Sequence, residues 1–225
     1  MISVKHKIIF IHIPKCAGQS IENIFLKDLD LKWEQRYHLL LRPKKVEEKG
    51  PERLAHLYAE EYFKFGYISK ENYDKFFKFA IFRNPIDRIL SEINFQRIPK
   101  KNSENPYGIE SIEEYILKVS KLDKFSDLRR HISPQVKFLH DSRTNKLIVD
   151  KIINFDELNY EFPKIFQNKF KVFSEVPKVN SNKYKLWYKE DLISRDYDFL
   201  HDFYDSDFKF LNSLKSKKIK RNKSL

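Results

Sequence analysis

Lys15, Gly18 and Ser20 stand in a short interruption, Pro14-Lys15-Cys16-Ala17-Gly18-Gln19-Ser20, between an apolar run (Ile8 to Ile13) and apolar residues at helical spacing (Ile21, Ile24, Phe25, Leu29). A strand that turns into a helix aims backbone N–H groups at the space above the sheet edge, where the helix N-terminus adds partial positive charge. Such a turn holds anions, most often phosphate. Lys15 adds a full charge and Ser20 a hydroxyl donor. Gly18 allows a backbone conformation or a close ligand approach that a side chain would block. The same residues also fit an ordinary strand-to-helix turn with a solvated lysine. A second segment, "FAIFRNPIDRILSEINF" (Phe79 to Phe95), repeats the logic of strand, break and helix. Arg83 ends that strand, where side chains of a parallel sheet reach the ligand crevice. Arg88 and Ser91 are spaced to share a helix face. An arginine and a hydroxyl converging on one point suit a phosphate dianion; a salt-bridged arginine and a surface serine are the alternative for each alone.

The elements that must position these residues alternate between strand and helix. Residues 7–13 and 76–82 read as buried strands, 20–29 and 51–65 as helices. Pro85 opens a helix with Asn84 as its N-cap. Ser111 and Glu114 form a capping box for a helix through about Val119. Residues 146–155 read as strand and 156–166 as helix. A short strand over 171–176 and one long helical pattern over 189–213 follow. This order predicts an α/β fold with a mostly parallel central sheet and helices on both faces. The polar, turn-rich connection 99–110 reads as a surface loop.

The chain has 225 residues, 41% hydrophobic and 34% charged, with one cysteine and a net charge of +12. That length supports one domain with a real core, drawn here over 1–214. Residues 215–225, "KSKKIKRNKSL", carry six Lys or Arg and no acid, and read as a disordered basic tail. No apolar run approaches the roughly 18 residues of a membrane span, and the N-terminus lacks the flanks of a signal peptide. Cys16 has no internal disulfide partner, which suits a reducing compartment. No Cys/His spacing indicates a metal site. The Walker pattern fails, since Lys15 precedes Gly18 instead of following a glycine. "KLIVD" (Lys146 to Asp150) passes only weakly for a Walker B strand.

Together, "IPKCAGQS" and "FRNPIDRILS" resemble the cytosolic and Golgi sulfotransferases that use 3′-phosphoadenosine-5′-phosphosulfate (PAPS). The resemblance is nearest to the carbohydrate O-sulfotransferases, the family that includes heparan sulfate 2-O-sulfotransferase. In that family P-K-[TS]-A-[GS]-T-S binds the 5′-phosphosulfate, and R-[ND]-P-x-x-R-x-x-S the 3′-phosphate. Pro14, Lys15, Ala17, Gly18 and Ser20 match the first; Arg83, Pro85, Arg88 and Ser91 match the second. Cys16 and Gln19 replace threonines, which removes two hydroxyl donors and leaves backbone contacts. "LAHLYAEEYFKFG" (Leu54 to Gly66) matches the segment that carries a catalytic histidine, at His56. "HISPQVKFL" (His131 to Leu139) resembles the H-x-x-P-Q segment, "VDKIINFDEL" a strand before a late helix, and "VPKVNSNKYK" (Val176 to Lys185) the loop over the nucleotide.

The resemblance implies a P-loop-like three-layer fold, PAPS as co-substrate with no metal, and transfer of a sulfuryl group to an acceptor hydroxyl. Lys15 and the N–H groups of residues 16–20 would stabilise the leaving phosphate, and His56 would act as general base. Cys16, Ala17, Gly18, Gln19, Ser20, Arg83 and Ser91 would hold the donor. Of the other histidines, His12 reads as a buried core residue, and His131, second to His56, either lines the acceptor site or fixes a helix end. A glycan acceptor is implied, and the basic surface suits an acidic one; no stable nucleic-acid partner is expected. Animal members carry a transmembrane anchor, so a chain without such a run is expected to be cytoplasmic. Two other readings stay open: an ATP-dependent small-molecule kinase with a divergent phosphate loop, and a non-catalytic polyanion-binding protein.

Overall fold

The computed structural model describes residues 1–97, 111–167, 176–177 and 185–222, with side chains through residue 216. The expected loop 99–110, nearly all of the expected strand 171–176 and most of the expected nucleotide-covering loop lie outside the described residues. Among the described residues, four strands form one sheet in the order β1 (Ile2–Ser3), β2 (Ile8–Ile11), β3 (Phe77–Phe82) and β4 (Lys151–Asn154). β1 is antiparallel to β2, while β2, β3 and β4 run parallel. The sheet is therefore mixed but mostly parallel, with helices around it, as the sequence pattern predicts. All four residues of β2 are buried, which accounts for its unbroken apolar sequence. The register pairs Phe10 with Phe79, and their rings stack at 4.9 Å.

Helix α1 (Gly18–Asp28) follows β2. Short helices α2 (Glu61–Lys64) and α3 (Lys70–Lys75) precede β3, and α4 (Pro85–Gln96) follows it. Asn84 caps α4 as expected, accepting from the Ile86 and Asp87 amides. Then come α5 (Ile112–Ser120), capped by Ser111 through the Glu114 amide, α6 (Asp127–Ile132) and α7 (Val136–Leu139). α8 (Leu158–Phe166), α9 (Ser194–Phe203) and α10 (Asp205–Asn222) complete the set. One apolar cluster surrounds the sheet and includes Phe25 of α1 and Phe162 of α8. A second is built from α4, α5, α6 and α9, around Ile89, Ile116 and Leu200. α4 belongs to the second cluster yet grows directly from β3, so its buried polar face lies between the two.

Three expectations need correction. Residues 51–65 do not form one helix. A single 3-10 turn at Leu54–His56 gives way to extended backbone at Leu57 before α2. A tertiary bond competes with the helical pattern there, the Ala59 amide donating to the Phe138 carbonyl, and the Tyr58 amide is taken locally by the Glu61 carboxylate. Residues 189–213 break at Tyr204 between α9 and α10. Tyr204 is buried with its hydroxyl donating to the Ile132 carbonyl at 2.8 Å. Asp207 must turn inward to accept the Gln135 and Val136 amides, and one continuous helix would not serve both anchors. Finally, α10 continues to Asn222, so the first eight residues of the expected disordered tail are helical. Asp205 and Asp207 in its first turn and a Lys/Arg-rich end match the helix dipole.

Asp150 precedes β4 and pairs with Lys78 at the start of β3, accepting from the Lys78 amide at 2.7 Å. That is the N-terminal edge of the parallel strands. Ligands of such sheets, and the corners at Lys15 and Arg83, belong to the opposite edge, so Asp150 is not placed as a Walker B acid.

Candidate active site

The first corner forms because the chain must turn sharply between buried β2 and α1. Lys15 and Ala17 both adopt left-handed backbone, at φ 66° and 59°. Ala17 is the N-cap of α1 and supplies no side-chain cap, and no acidic residue occupies the first turn. The positive end of α1 is thus left to a ligand. One expected donor is already used: the Cys16 amide closes the turn onto the Ile13 carbonyl at 3.3 Å. Gly18 is required for a different reason from the one expected. A Cβ there would lie 1.8 Å from Nε2 of His12, whose buried ring fills that space. Ser20 is buried and Gln19 half-buried in the first turn.

Arg83 joins this corner to the second. Its Nη1 donates to the Lys15 carbonyl at 3.0 Å, and its guanidinium lies 4.3 Å over the Phe155 ring. Nε of Arg83 is buried without a hydrogen-bond partner. The Lys15 ammonium stands 3.7 Å over Phe95. Burial lowers the Lys15 pKa, Glu92 opposes this, and Arg83 lowers it further. Among the described residues neither cation has a salt bridge. Two cations and an uncapped helix end are thus gathered at one sheet edge without a bonded carboxylate, a charge environment that favours an anion.

Gln135 clamps the two corners. Its Oε1 accepts from the Arg83 amide at 3.0 Å and from the Cys16 thiol at 3.4 Å, while Nε2 donates to the Arg83 carbonyl at 2.8 Å. Asp207 of α10 holds Gln135 in turn. Burial pushes the Cys16 thiol up to about 11, so it packs as a neutral group. Gln135→Ala strands the Arg83 amide and carbonyl, and is expected to cost about 2 kcal/mol in denaturant unfolding. A variant as stable as the parent would contradict the clamp.

Arg88 is fully buried: its Nη groups donate to the His131 and Ser133 carbonyls at 2.6 and 2.8 Å, and its Nε has no hydrogen-bond partner. Ser91 lies mid-α4, half-buried, beside Glu92.

His56 lies in a row of three histidines. Its ring is 5.0 Å from that of His12 and 4.9 Å from that of His131, edge to face. Each Nδ1 meets its own carboxylate: His12 with Glu22 at 2.6 Å, His56 with Asp127 at 2.6 Å, His131 with Glu92 at 2.7 Å. Glu92 also accepts from Gln96 and Tyr115. His56 is only 5% exposed, and burial pushes its imidazole down to about 4; Asp127 pulls the other way, and His131 and His12 add to the lowering. With Nδ1 engaged by Asp127, a neutral His56 presents the Nε2 lone pair, the state a general base needs. His12, read from sequence as a buried core residue, is buried and also belongs to this row. Asp127 and Gln135 carry no local sequence signal of these roles, because their partners are 71 and 52 residues away.

The row makes the protein acid-sensitive. Between its ordinary value of 6.5 and about 4, His56 binds a proton in the unfolded chain that the folded protein refuses. Stability therefore falls as pH drops through that window, by on the order of 3 kcal/mol. Burial opposes ionisation of Glu22, Glu92 and Asp127, but their histidine partners hold all three below ordinary values. Their stabilisation is likewise lost as pH falls. The melting temperature is expected to decline steadily from pH 6.5 to 4; a flat profile would contradict the buried neutral His56.

A cavity of about 810 Å³ lies elsewhere, lined by Tyr58, Lys64, Phe125, Arg130, Lys137 and Phe210 among others. It includes none of Lys15, His56 or Arg83. No helix among the described residues is long and apolar enough to cross a membrane.

Comparison with known proteins gives one assignment. No curated protein and no solved structure matches the chain. The model of the Sulfotransferase family matches residues 1–212, a span that includes both corners, the histidine row and the Gln135 clamp. The chain belongs to the sulfotransferase family.

Proposed function

We propose that the protein transfers a sulfuryl group from PAPS to a hydroxyl of a carbohydrate acceptor. One observation carries the donor assignment: the Lys15 and Arg83 corners meet at 3.0 Å, clamped by Gln135, with neither cation salt-bridged among the described residues. A donor with phosphates at both 5′ and 3′ positions of one ribose needs two such corners side by side. The end of α1 and Lys15 would take the 5′-phosphosulfate, with Ala17, Gly18, Gln19 and Ser20 in the first turn and Cys16 packed behind. Arg83, with Ser91, would take the 3′-phosphate that distinguishes this donor from ATP.

In the transfer, the acceptor oxygen forms a bond to sulfur as the bond from sulfur to the 5′-phosphate oxygen breaks. Negative charge grows on the departing phosphate, where Lys15 and the helix end stabilise it. The acceptor hydroxyl proton goes to Nε2 of His56. Asp127 holds His56 in the required tautomer and steadies the imidazolium, as a positioning residue. The basic surface favours an acidic glycan. We place the enzyme in the cytoplasm, on the sequence alone.

A thermal-shift comparison of adenosine 3′,5′-bisphosphate, ADP with Mg²⁺, and a sulfated oligosaccharide tests this reading. Selective stabilisation by the bisphosphate is expected. Stabilisation by ADP with Mg²⁺ alone would point to a kinase, and by the oligosaccharide alone to a polyanion binder; either would overturn it.

A further inference from the structure

We propose that His56, Asp127 and His131 form a divalent transition-metal site, suited to Zn²⁺, whose occupation is incompatible with base function at His56. Each of the three residues offers one ligand atom, and these atoms lie within 4.8 Å of one another. The pointed observation is at His131. Its Nε2 is buried without a hydrogen-bond partner, on a residue only 7% exposed. That atom faces Oδ2 of Asp127 at 3.6 Å, too long for a hydrogen bond. Two ligand atoms about 2.0–2.1 Å from a tetrahedral zinc ion stand roughly 3.3–3.4 Å apart. The observed gap is thus close to what a shared ion would span.

The surroundings agree. Asp127 and His131 are one helical turn apart on α6, so their spacing is set by rigid backbone. Nδ1 of His131 rests on Oε2 of Glu92 at 2.7 Å, the carboxylate–histidine contact that orients metal-bound imidazoles. Two imidazoles and one carboxylate favour Zn²⁺ over Mg²⁺ or Ca²⁺, with a water completing the tetrahedron. Ligation through either nitrogen of His56 disables it as a base: at Nε2 the metal takes the lone pair, and at Nδ1 it displaces the orienting hydrogen bond to Asp127. The ion would be an inhibitor, set apart from the chemistry of sulfuryl transfer.

The test needs neither donor nor acceptor, so it stands apart from the proposed function. Full-length protein is stripped with EDTA and titrated with Co²⁺, read by its visible absorption, and then with Zn²⁺ by equilibrium dialysis. The parent is expected to show tetrahedral Co²⁺ bands abolished by Zn²⁺. His131→Ala and Asp127→Asn should each bind one equivalent less Zn²⁺, a larger effect than the roughly 10–100-fold weakening typical of losing an outer contact. His140→Ala, outside the cluster, should bind as the parent does. Asp127→Asn keeps the side-chain shape and decides the matter if His131→Ala does not fold. A parent without such bands, or an Asp127→Asn variant with undiminished stoichiometry, would overturn the proposal.

Discussion

His56→Ala is expected to lower kcat by roughly 10²–10⁴-fold, the usual contribution of a positioned base, while the affinity for adenosine 3′,5′-bisphosphate is expected to stay at the parent value. The separation follows from geometry. His56 bonds to Asp127 and packs edge to face between His12 and His131, whereas the Lys15 and Arg83 corners are tied together by Arg83 and Gln135. The fold should survive the truncation, because the Asp127 side chain is 16% exposed and water can replace the lost partner. The pH dependence has a definite sign. A base pushed down to about 4 is already unprotonated at neutral pH, so kcat/KM, assayed with chelator present, is expected to be flat above about pH 5 and to fall as pH drops below it. Asp127→Asn removes a carboxylate that raises the His56 pKa, so the acid limb moves to still lower pH. Full activity in His56→Ala with every acceptor tried would show that another group takes the proton.

Lys15→Ala removes the charge proposed to stabilise the departing phosphate and is expected to raise the barrier by about 3–4 kcal/mol, or 10²–10³-fold in kcat. Unlike His56→Ala, it should also weaken bisphosphate binding. Backbone strain does not confuse the result: Lys15 sits at φ 66°, and alanine carries the same Cβ into that conformation. The ammonium rests over Phe95 and within reach of the Glu92 field, and burial lowers its pKa. As pH rises Lys15 therefore loses its charge earlier than a solvated lysine, giving an alkaline fall in kcat that Lys15→Arg should abolish. An unchanged kcat in Lys15→Ala would remove the leaving-group role.

The two corners were legible because they are local. A buried strand, a break and a helix start can be read from consecutive residues, and the observed elements begin and end within a few residues of that reading at β2, α1, β3 and α4. The family resemblance added His56 and the H-x-x-P-Q segment, but not what holds them. His56 reaches the row only because residues 51–65 abandon the helix their pattern suggests. Arg88 matches the motif yet is fully buried, its two Nη groups used by the His131 and Ser133 carbonyls. The reason for Gly18 lies in His12, six residues earlier in sequence and across the turn in space. The break at Tyr204 depends on anchors to Ile132, Gln135 and Val136, all about 70 residues distant. Periodicity reports which face of an element is apolar; it does not report which distant polar group an element must turn to meet.

A crystal structure of the full chain with adenosine 3′,5′-bisphosphate tests the two-corner grip most directly. The account predicts the 5′-phosphate at the N-terminus of α1 beside Lys15 and the 3′-phosphate on Arg83 and Ser91, with Gln135 still bridging Cys16 and Arg83. A nucleotide bound with only one phosphate at these corners, or seated in the cavity lined by Phe125 and Arg130, would contradict it.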